Sequence, residues 1–299
     1  MEGIALDENK VRESNDGRRA PDPNELRVTL VAFLGTHGPQ EFNELVRNLL
    51  ALLGELLGKW IERDWVKPVD ERIAHATFIG LEAYAEGGKL LNVNLLERLK
   101  GSVPRDDVPP MDLGEIVRLC RRLPLPMRVR FGGFDGPGTH VNPYAGRAPE
   151  RQPYARSFSI KKNGQMVAIG WPVHHRRDSV LVPTLVGLRH AFERSAVVHK
   201  YHRRPMASDN DLFFLLAEVT PKPWEEGTPA ERTRFRADLA VAQQKIRDYM
   251  AAEAHRVTLN VDEGHLQVVK YLTPDLAGDI KVYPLDEVDE DLLRTLYLG

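Results

Sequence analysis

Hydrophobic positions along the chain follow two periods, one typical of strands and one typical of helices. Residues 26–35, L-R-V-T-L-V-A-F-L-G, form a nearly continuous apolar run, which predicts a buried strand. From Phe42 to Trp60 the apolar residues recur at steps of three and four, which predicts a long helix with one apolar face. The pattern therefore begins with a strand followed by a helix that packs on a sheet.

The same two periods continue along the rest of the chain. Strands are predicted at 127–134, 157–160, 165–173 and 211–219, and helices within 93–123 and at 182–198 and 229–254. The K-K-N-G segment after residue 160 predicts a hairpin, because Asn and Gly accept the positive φ of a tight turn. Residues 256–261 and 265–272 flank D-E-G and predict a second hairpin.

The order of these elements contains an approximate internal repeat. A strand, a helix and a strand come first, and the strand at 166–173, a helix and the strand at 211–219 repeat that order. The repeat predicts an α+β fold of two pseudo-symmetric lobes, each an antiparallel sheet with outer helices, around a central cleft. Residues 1–25 are polar and predict a loose tail, so that 26–299 form a single bilobal domain.

Composition narrows the class of protein. The chain is 42% hydrophobic and 28% charged, which is typical of a globular protein, and its formal net charge of -2 predicts no general attraction to polyanions. The single cysteine, Cys120, excludes an internal disulfide and a cysteine-based zinc site, and this usage fits the cytoplasm. No apolar run reaches membrane-spanning length, and the N-terminal segment lacks the apolar core of a signal peptide.

The strand that follows the first helix carries the best candidate chemistry. In the sequence His75, Ala76, Thr77, Phe78, alternate side chains share a face, so His75 and Thr77 point one way and the other two point into the core. An imidazole beside a hydroxyl supplies a proton acceptor and a hydrogen-bond donor, which suits a phosphate site. A half-buried structural histidine is the competing interpretation.

The surrounding motifs resemble a known superfamily. W-x-K-P at 65–68, H-x-T-F-x-G at 75–80 and P-L-P-M-R-V-R-F-G-G-F at 124–134 resemble the 2H phosphoesterases, which include 2′-5′ RNA ligase-like and cyclic phosphodiesterase proteins. The resemblance implies a metal-independent, cofactor-free phosphodiesterase acting on a 2′,3′-cyclic phosphate or a related RNA-end or nucleotide phosphodiester. His75 and Thr77 would form one of two H-x-[ST] motifs, with one imidazole as general base and the other as general acid.

Only the first of these two motifs is intact. Aligning the halves on G-L-E-A and L-A-E-V places Asp211 at the position of His75 and Phe213 at that of Thr77. In one interpretation the second histidine is His265, where Gln267 takes the place of the hydroxyl residue.

Two other interpretations remain open. In the first, His199 or His202 enters the cleft from the basic segment H-K-Y-H-R-R. In the second, the motif is lost, Asp211 is structural, and the protein is an inactive nucleotide or RNA-end binder.

The candidate residues for substrate contact are Gln267, Arg130, Tyr144 and Arg203. The prolines, glycines and arginines of residues 135–156 predict a long loop, either a substrate-facing flap or a solvated insertion. No H-E-x-x-H, cysteine pair or acidic cluster occurs at ligand spacing, so no metal site is predicted.

The basic patch at 174–177, H-H-R-R, is typical of a solvated turn. The sequence leaves the oligomeric state open.

Overall fold

The structure is a computed structural model that describes residues 4–16, 24–33, 35, 38–134, 152–202, 209–272, 276 and 279–298. The elements, contacts and clusters given below belong to these ranges. Within them, no helix is long and apolar enough to cross a membrane.

Fourteen strands lie in the described part of the chain. They are β1 (Glu25–Leu26), β2 (Val28–Ala32), β3 (Val66–Pro68), β4 (Ala76–Gly80), β5 (Ala83–Glu86), β6 (Lys89–Asn92), β7 (Met127–Phe131), β8 (Phe158–Ile160), β9 (Gln165–His174), β10 (Arg177–Leu181), β11 (Leu212–Val219), β12 (Val257–Val261), β13 (Leu266–Lys270) and β14 (Lys281–Pro284).

Nine α-helices lie in the same ranges. They are α1 (Glu8–Asp16), α2 (Gln40–Ile61), α3 (Val93–Leu99), α4 (Leu113–Cys120), α5 (Pro153–Ser157), α6 (Thr184–Phe192), α7 (Lys222–Glu226), α8 (Pro229–Ala251) and α9 (Glu290–Leu298).

One large antiparallel sheet organises the molecule. Its strands run in the order β12-β7-β9-β11-β4-β2-β13-β14, with β3 paired to β11 and both β8 and β10 paired to β9. A small separate sheet contains β1, β5 and β6. The mixture of helices with antiparallel strands confirms the predicted α+β class, and β8 and β9 form the predicted hairpin.

The long helix α2 packs on one face of this sheet, which we call the inner face. The apolar stripe of α2, including Phe42, Leu45, Leu49 and Leu53, is buried in the main core, as its period predicts. Helix α8 lies beside it and begins at a capping box in which Thr228 and Glu231 satisfy each other's main-chain N–H groups.

The sheet curls around the first turn of α2. The Phe42 ring lies 4.8 Å from Phe33, 5.0 Å from Phe214 and 6.5 Å from Phe131, measured between ring centroids. Phe33 follows β2 and Phe131 ends β7, four positions away in the strand order. In a flat sheet these strands would lie roughly 19 Å apart, at ~4.8 Å per strand, so only a curved sheet brings both rings to Phe42.

The predicted second hairpin is wrong, because β12 and β13 do not pair with each other. β12 pairs with β7 at one edge of the sheet, whereas β13 pairs with β2 and β14 near the other edge. The connecting residues 262–265 span at most about 17 Å. A flat sheet would separate the two strands by roughly 29 Å, so the curl that surrounds α2 also makes this short connection possible.

Residues 4–16 differ from the loose tail that the sequence predicts for 1–25. They contain α1, whose Val11 is fully buried in the main core. Asn15 Nδ2 donates to the carbonyl of Val219, and Asp7 N donates to the carbonyl of Lys162, which ties α1 to the end of the β9 and β11 pair. Ile4 and Leu6 are also buried in the main core, so three apolar residues dock this segment.

The strand order β9-β11-β4-β2 places the two halves of the predicted repeat side by side. Their helices differ, since α2 has 22 residues and packs across the inner face whereas α6 has 9. The pseudo-symmetry of the two lobes therefore stays a prediction.

Candidate functional site

His75 and Thr77 lie on the face of the sheet that points away from α2, which we call the outer face. Ala76 and Phe78 of β4 are buried in the main core with α2, and the alternation of a strand turns their neighbours outward. Both His75 and Thr77 are half-buried. Thr77 pairs with Val31, whose side chain belongs to a separate outer-face cluster.

A row of four side chains crosses the outer face at Thr77. Val31 of β2 lies opposite Thr77 on one side and opposite Gln267 of β13 on the other. Phe214 pairs with Ala76, which places Phe213 beside Thr77 on the remaining side. The row therefore reads Phe213, Thr77, Val31, Gln267, with the hydroxyl between two apolar side chains.

The ring of His75 is held in one tautomer. Its Nδ1 lies 2.9 Å from the carbonyl oxygen of Ile73. A carbonyl oxygen only accepts hydrogen bonds, so Nδ1 carries a proton, and in the neutral ring the lone pair is therefore at Nε2. This neutral tautomer is the form in which a histidine takes up a proton at Nε2.

His265 lies at the same end of β2 as His75. Phe33 N donates to the carbonyl of His265, and Ala32 pairs with both Leu266 and Ala76. The two histidine backbones thus flank β2 at one level, two strand spacings or roughly 10 Å apart. The His265 Nδ1 lies 2.9 Å from Asp262 Oδ1, which orients the ring, and 21% of its side chain is exposed.

Gln267 has an unusual environment for an amide. Its side chain is only 3% exposed, and its Oε1 is buried without a hydrogen-bond partner among the described residues. Leaving such an acceptor unpaired costs about 1–3 kcal/mol. Gln267 therefore lies in the row of Thr77 with almost no exposed surface, and its role in substrate contact stays a prediction.

β4 carries a bulge in its pairing with β2 just past Thr77. Val31 opposes Thr77 and Leu30 opposes Ile79, so Phe78 is the extra residue. The register between β4 and β11 contains the single pair Phe214 and Ala76. The main-chain carbonyls of Thr77 and Phe78 are thereby left without a strand partner on that side.

Arg189 of α6 fills the gap between the two strands. Its fully buried guanidinium donates to the carbonyls of Thr77 and Phe78 in β4, at 3.2 and 3.0 Å. It also donates to the carbonyls of Asp209 and Asp211 and to Asp209 Oδ2. One arginine side chain therefore holds the two strands together where their own hydrogen bonds end.

Asp211 occupies the position at which the second motif histidine was expected. It is 3% exposed, and its Oδ1 accepts a hydrogen bond of 2.6 Å from Trp171 Nε1. Its Oδ2 accepts from a guanidinium nitrogen of Arg156. Burial and then the negative charge of Asp209 raise the pKa of the Asp211 carboxyl to about 7.

The histidines of the basic segment are buried away from this row. His199 and His202 are 2% and 1% exposed, and both lie near Asp209. Burial, with the charge of Arg189 next in size, lowers the pKa of His199 to about 3. Burial, with His190 next, lowers the pKa of His202 to about 4. Both rings are therefore neutral near pH 7, and a group so hard to protonate is a poor general acid.

Three potential metal ligands do come together in the described ranges, although the sequence predicts no metal site. They are His190, Glu193 and His202, whose ligand atoms lie within 4.8 Å of one another. His202 Nε2 accepts a hydrogen bond from Asp209 N, so the proton sits on Nδ1, the nitrogen that faces Glu193. Glu193 Oε1 faces the two histidines while its Oε2 accepts a hydrogen bond from Arg98, so the lack of a metal site stays a prediction.

The other predicted substrate residues are not brought into the row. Arg130 is 4% exposed, and its guanidinium donates to the carbonyls of Gly132, Gly133 and Asp178, which leaves it little capacity for a substrate. Both glycines have positive φ, and a Cβ on Gly132 would lie 2.5 Å from the Met250 carbonyl oxygen. Tyr144 and Arg203 lie outside the described residues, as does most of the predicted flap.

Sequence reasoning missed Arg189 and the ion pair of Arg156 with Asp211. Arg189 lies four residues after Leu185 and three before Phe192, on the buried stripe of α6. A charged residue on an apolar stripe is the sequence signal of a buried ionic contact. For the group of His190, Glu193 and His202, the sequence signal was the spacing H-x-x-E, which places His190 and Glu193 on one side of a helix.

A groove with a mixed polar and apolar lining lies elsewhere in the described ranges. It has a volume of about 690 Å³, runs between α4 and α6 and is lined by Leu119, Leu123, Leu188, Arg122 and Arg194 among others. The α6 residues that line this groove lie on the side of the helix opposite to Arg189. Cavity size alone therefore does not point to the row of Thr77.

Comparisons with known proteins assign no family. No family model matches the chain, and no curated protein sequence matches it either. Similar solved structures include Usb1 of Kluyveromyces marxianus and the same protein with uridine monophosphate, each 10% identical. Their TM-scores are 0.40 and 0.39, over 87% of this chain and 98% of that chain. At this level of similarity the two structures assign neither a family nor a function to the chain.

Proposed function

We propose that the protein is a metal-independent phosphodiesterase acting on a 2′,3′-cyclic phosphate or a related RNA-end or nucleotide phosphodiester. The observation that carries the proposal is the hydrogen bond between His75 Nδ1 and the Ile73 carbonyl. In the neutral ring this bond places the lone pair at Nε2, as a general base requires. His75 lies two residues before Thr77, on the same face of the strand. The Thr77 hydroxyl is a donor suited to a non-bridging phosphate oxygen.

The chemistry follows from these two groups for a cyclic phosphate. His75 Nε2 takes a proton from water as the water oxygen bonds to phosphorus, and the bond from phosphorus to the 2′ or 3′ oxygen breaks. A second group returns a proton to the leaving sugar oxygen, so that the product is a phosphomonoester. The resemblance of H-A-T-F to the 2H phosphoesterase motif supports the same assignment.

His265 is the best candidate for that second group. It lies at the level of His75 across β2, and Asp262 orients its ring. The two backbones are roughly 10 Å apart, and the His265 ring lies 6.0 Å from the Phe33 ring, measured between centroids. His199 and His202 are less suitable, because burial keeps both rings neutral.

A binding protein without turnover is the second candidate function. It is favoured by Asp211, a buried carboxyl bonded to Trp171 at the position where the superfamily has its second histidine. Such a protein would hold the RNA end or nucleotide at Thr77 and leave its phosphodiester intact.

One assay separates the two functions. The protein is incubated with a 2′,3′-cyclic nucleotide in excess EDTA, and ring opening is followed by chromatography. We expect hydrolysis that depends on His75 and survives chelation. Binding of the nucleotide with no ring opening would favour the second candidate, and activity that EDTA removes and a divalent ion restores would contradict the metal-independent mechanism.

A further inference from the structure

Arg156 and Asp211 form an ion pair on the outer face, on the side of Thr77 away from His75. Arg156 comes from α5, and Asp211 lies directly before β11 at the level of Trp171. The Arg156 side chain is 23% exposed and that of Asp211 is 5% exposed. The carboxyl is thus buried, while part of the guanidinium reaches the surface.

Both oxygens of Asp211 are used to hold this arrangement. Oδ1 accepts from Trp171 Nε1 at 2.6 Å, and Oδ2 accepts from Arg156. The carboxyl therefore has one orientation, and it fixes the guanidinium in turn. A guanidinium held in place by its own partner loses little conformational freedom on binding, which suits it to planar, two-pronged contact with a phosphate.

Charged groups of both signs lie at this pair, although the whole chain is slightly acidic. Among the described residues, Asp209 lies near Asp211 and is itself paired with Arg189. Because its pKa is raised to about 7, Asp211 only partly neutralises Arg156 near neutral pH. A second cation lies on the same face, since Lys161 Nζ is 4.2 Å from the centroid of the Phe213 ring.

Strand geometry separates this pair from His75. Phe213 is level with Thr77, so Leu215 is level with His75 and Asp211 lies four residues before Leu215. At ~3.4 Å per residue, Asp211 is roughly 14 Å along the strand from the level of His75, with Thr77 between them. Asp211 is two residues from the level of Thr77, roughly 7 Å along the strand, so the ion pair lies beyond Thr77 on the side away from His75.

We propose that Arg156, oriented by Asp211, binds a second phosphate of the substrate, one nucleotide away from the phosphate that lies beside His75 and Thr77. The inference rests on the proposed function for the position of the first phosphate. It makes the preferred ligand a single strand of at least two nucleotides rather than a mononucleotide.

Binding measurements without turnover test this subsite. In a His75→Ala background, a labelled RNA hexamer with a 3′-phosphate and the matching 3′-mononucleotide are titrated at several salt concentrations. Arg156→Gln should weaken hexamer binding about tenfold, because one charged hydrogen-bonded contact is lost. The slope of log affinity against log salt should fall by about 0.7, the value for one phosphate contact on a single strand. Arg156→Lys should lose less, and mononucleotide binding should change less than hexamer binding.

Two further variants guard against misfolding. Arg156→Gln leaves Asp211 unpaired, so the double variant Arg156→Gln/Asp211→Asn removes that charge and should show the same loss of hexamer binding. Arg236→Gln, at an exposed position of α8, is the matched control and should bind like its parent. Unchanged hexamer affinity in the single and double variants would overturn the inference, as would equal losses for hexamer and mononucleotide.

The outcome is independent of hydrolysis. If the wild type opens no cyclic phosphate but hexamer binding depends on Arg156, the proposed activity fails and the subsite stands. If hydrolysis depends on His75 while the Arg156 variants bind the hexamer normally, the activity stands and the subsite fails.

Discussion

The buried guanidinium of Arg189 donates a hydrogen bond of 3.2 Å to the main-chain carbonyl of Thr77. It also bonds the carbonyl of Asp211 at 3.0 Å, so one side chain links the intact motif strand to the strand where the second motif was expected. Because β4 and β11 share a single residue pair here, the position of Thr77 relative to β11 depends on Arg189.

Arg189→Met should therefore destabilise the fold strongly. The substitution leaves Asp209 unpaired and four carbonyls without their donor, and breaking a buried pair in this way costs about 3–5 kcal/mol. Urea unfolding measures the loss. The matched control is Arg236→Met on the exposed surface of α8, which should stay within about 0.5 kcal/mol of wild type. Equal stability of the two variants would contradict the structural role of Arg189.

His75→Ala should abolish hydrolysis of a 2′,3′-cyclic phosphate and change the free energy of unfolding by no more than about 1 kcal/mol, since a half-buried site residue contributes little to folding. Thr77→Ala should lower the rate by a smaller factor. His175→Ala, in the exposed turn after β9, is the control and should keep full activity. An unfolded His75→Ala protein together with an inactive wild type would indicate a structural histidine.

The pH dependence of the rate should reveal the second proton-transfer group. With one general base and one general acid the profile of kcat/KM is bell-shaped, and His265→Ala should remove one limb. His202→Ala and His199→Ala should leave both limbs in place, because these buried rings stay neutral across the neutral range. A limb lost in His202→Ala and kept in His265→Ala would reverse the assignment.

Gln267→Met should distinguish a role of Gln267 in stability from a role in substrate binding. The substitution keeps the volume and removes an unpaired buried oxygen, so the free energy of unfolding should rise or stay unchanged. Affinity for a 3′-mononucleotide should fall if the amide contacts the substrate. A variant that loses stability and binds normally would show that Gln267 has only a structural role.

Acid should destabilise the protein through His199 and His202. Their pKa values in the fold are about 3 and about 4, well below the ordinary value near 6.5 in the unfolded chain. Their contribution to stability is complete above pH 6.5 and is lost as the pH falls toward 4, because the unfolded chain takes up the protons first. For each histidine the loss is on the order of 1.4 kcal/mol per pH unit.

His202→Gln should accordingly reduce the slope of unfolding free energy against pH between 6.5 and 4. His175→Gln, at an exposed position, should leave that slope as it is in the wild type. Denaturant unfolding at a series of pH values measures both, and an unchanged slope in His202→Gln would contradict burial of a neutral ring.

The sequence by itself determined the local helices and strands and the face of the strand on which His75 and Thr77 lie. The period of the apolar residues predicted α2, α8 and β9 correctly, because burial of one face is a local requirement on a helix or strand. The same alternation placed His75 and Thr77 on the face opposite to Ala76 and Phe78, since strand geometry fixes it without reference to other strands.

Only the tertiary structure decided which strands are neighbours. D-E-G carries the composition of a hairpin turn, yet β12 and β13 find partners at opposite parts of the sheet because the sheet curls around α2. Local turn chemistry does not encode that curvature. The level of His265 across β2 from His75 and the burial of His202 follow from the same long-range packing.

The bulge at Phe78 and the insertion of Arg189 were likewise decided by tertiary contacts. The carbonyls of Thr77 and Phe78 need a donor only because β4 leaves β11, and α6 supplies that donor from 111 residues away in the case of Phe78. Hydrogen bonds over such separations depend on the packing of the whole core. A pattern confined to one segment of sequence therefore predicts the candidate residues but not the partners that hold them in place.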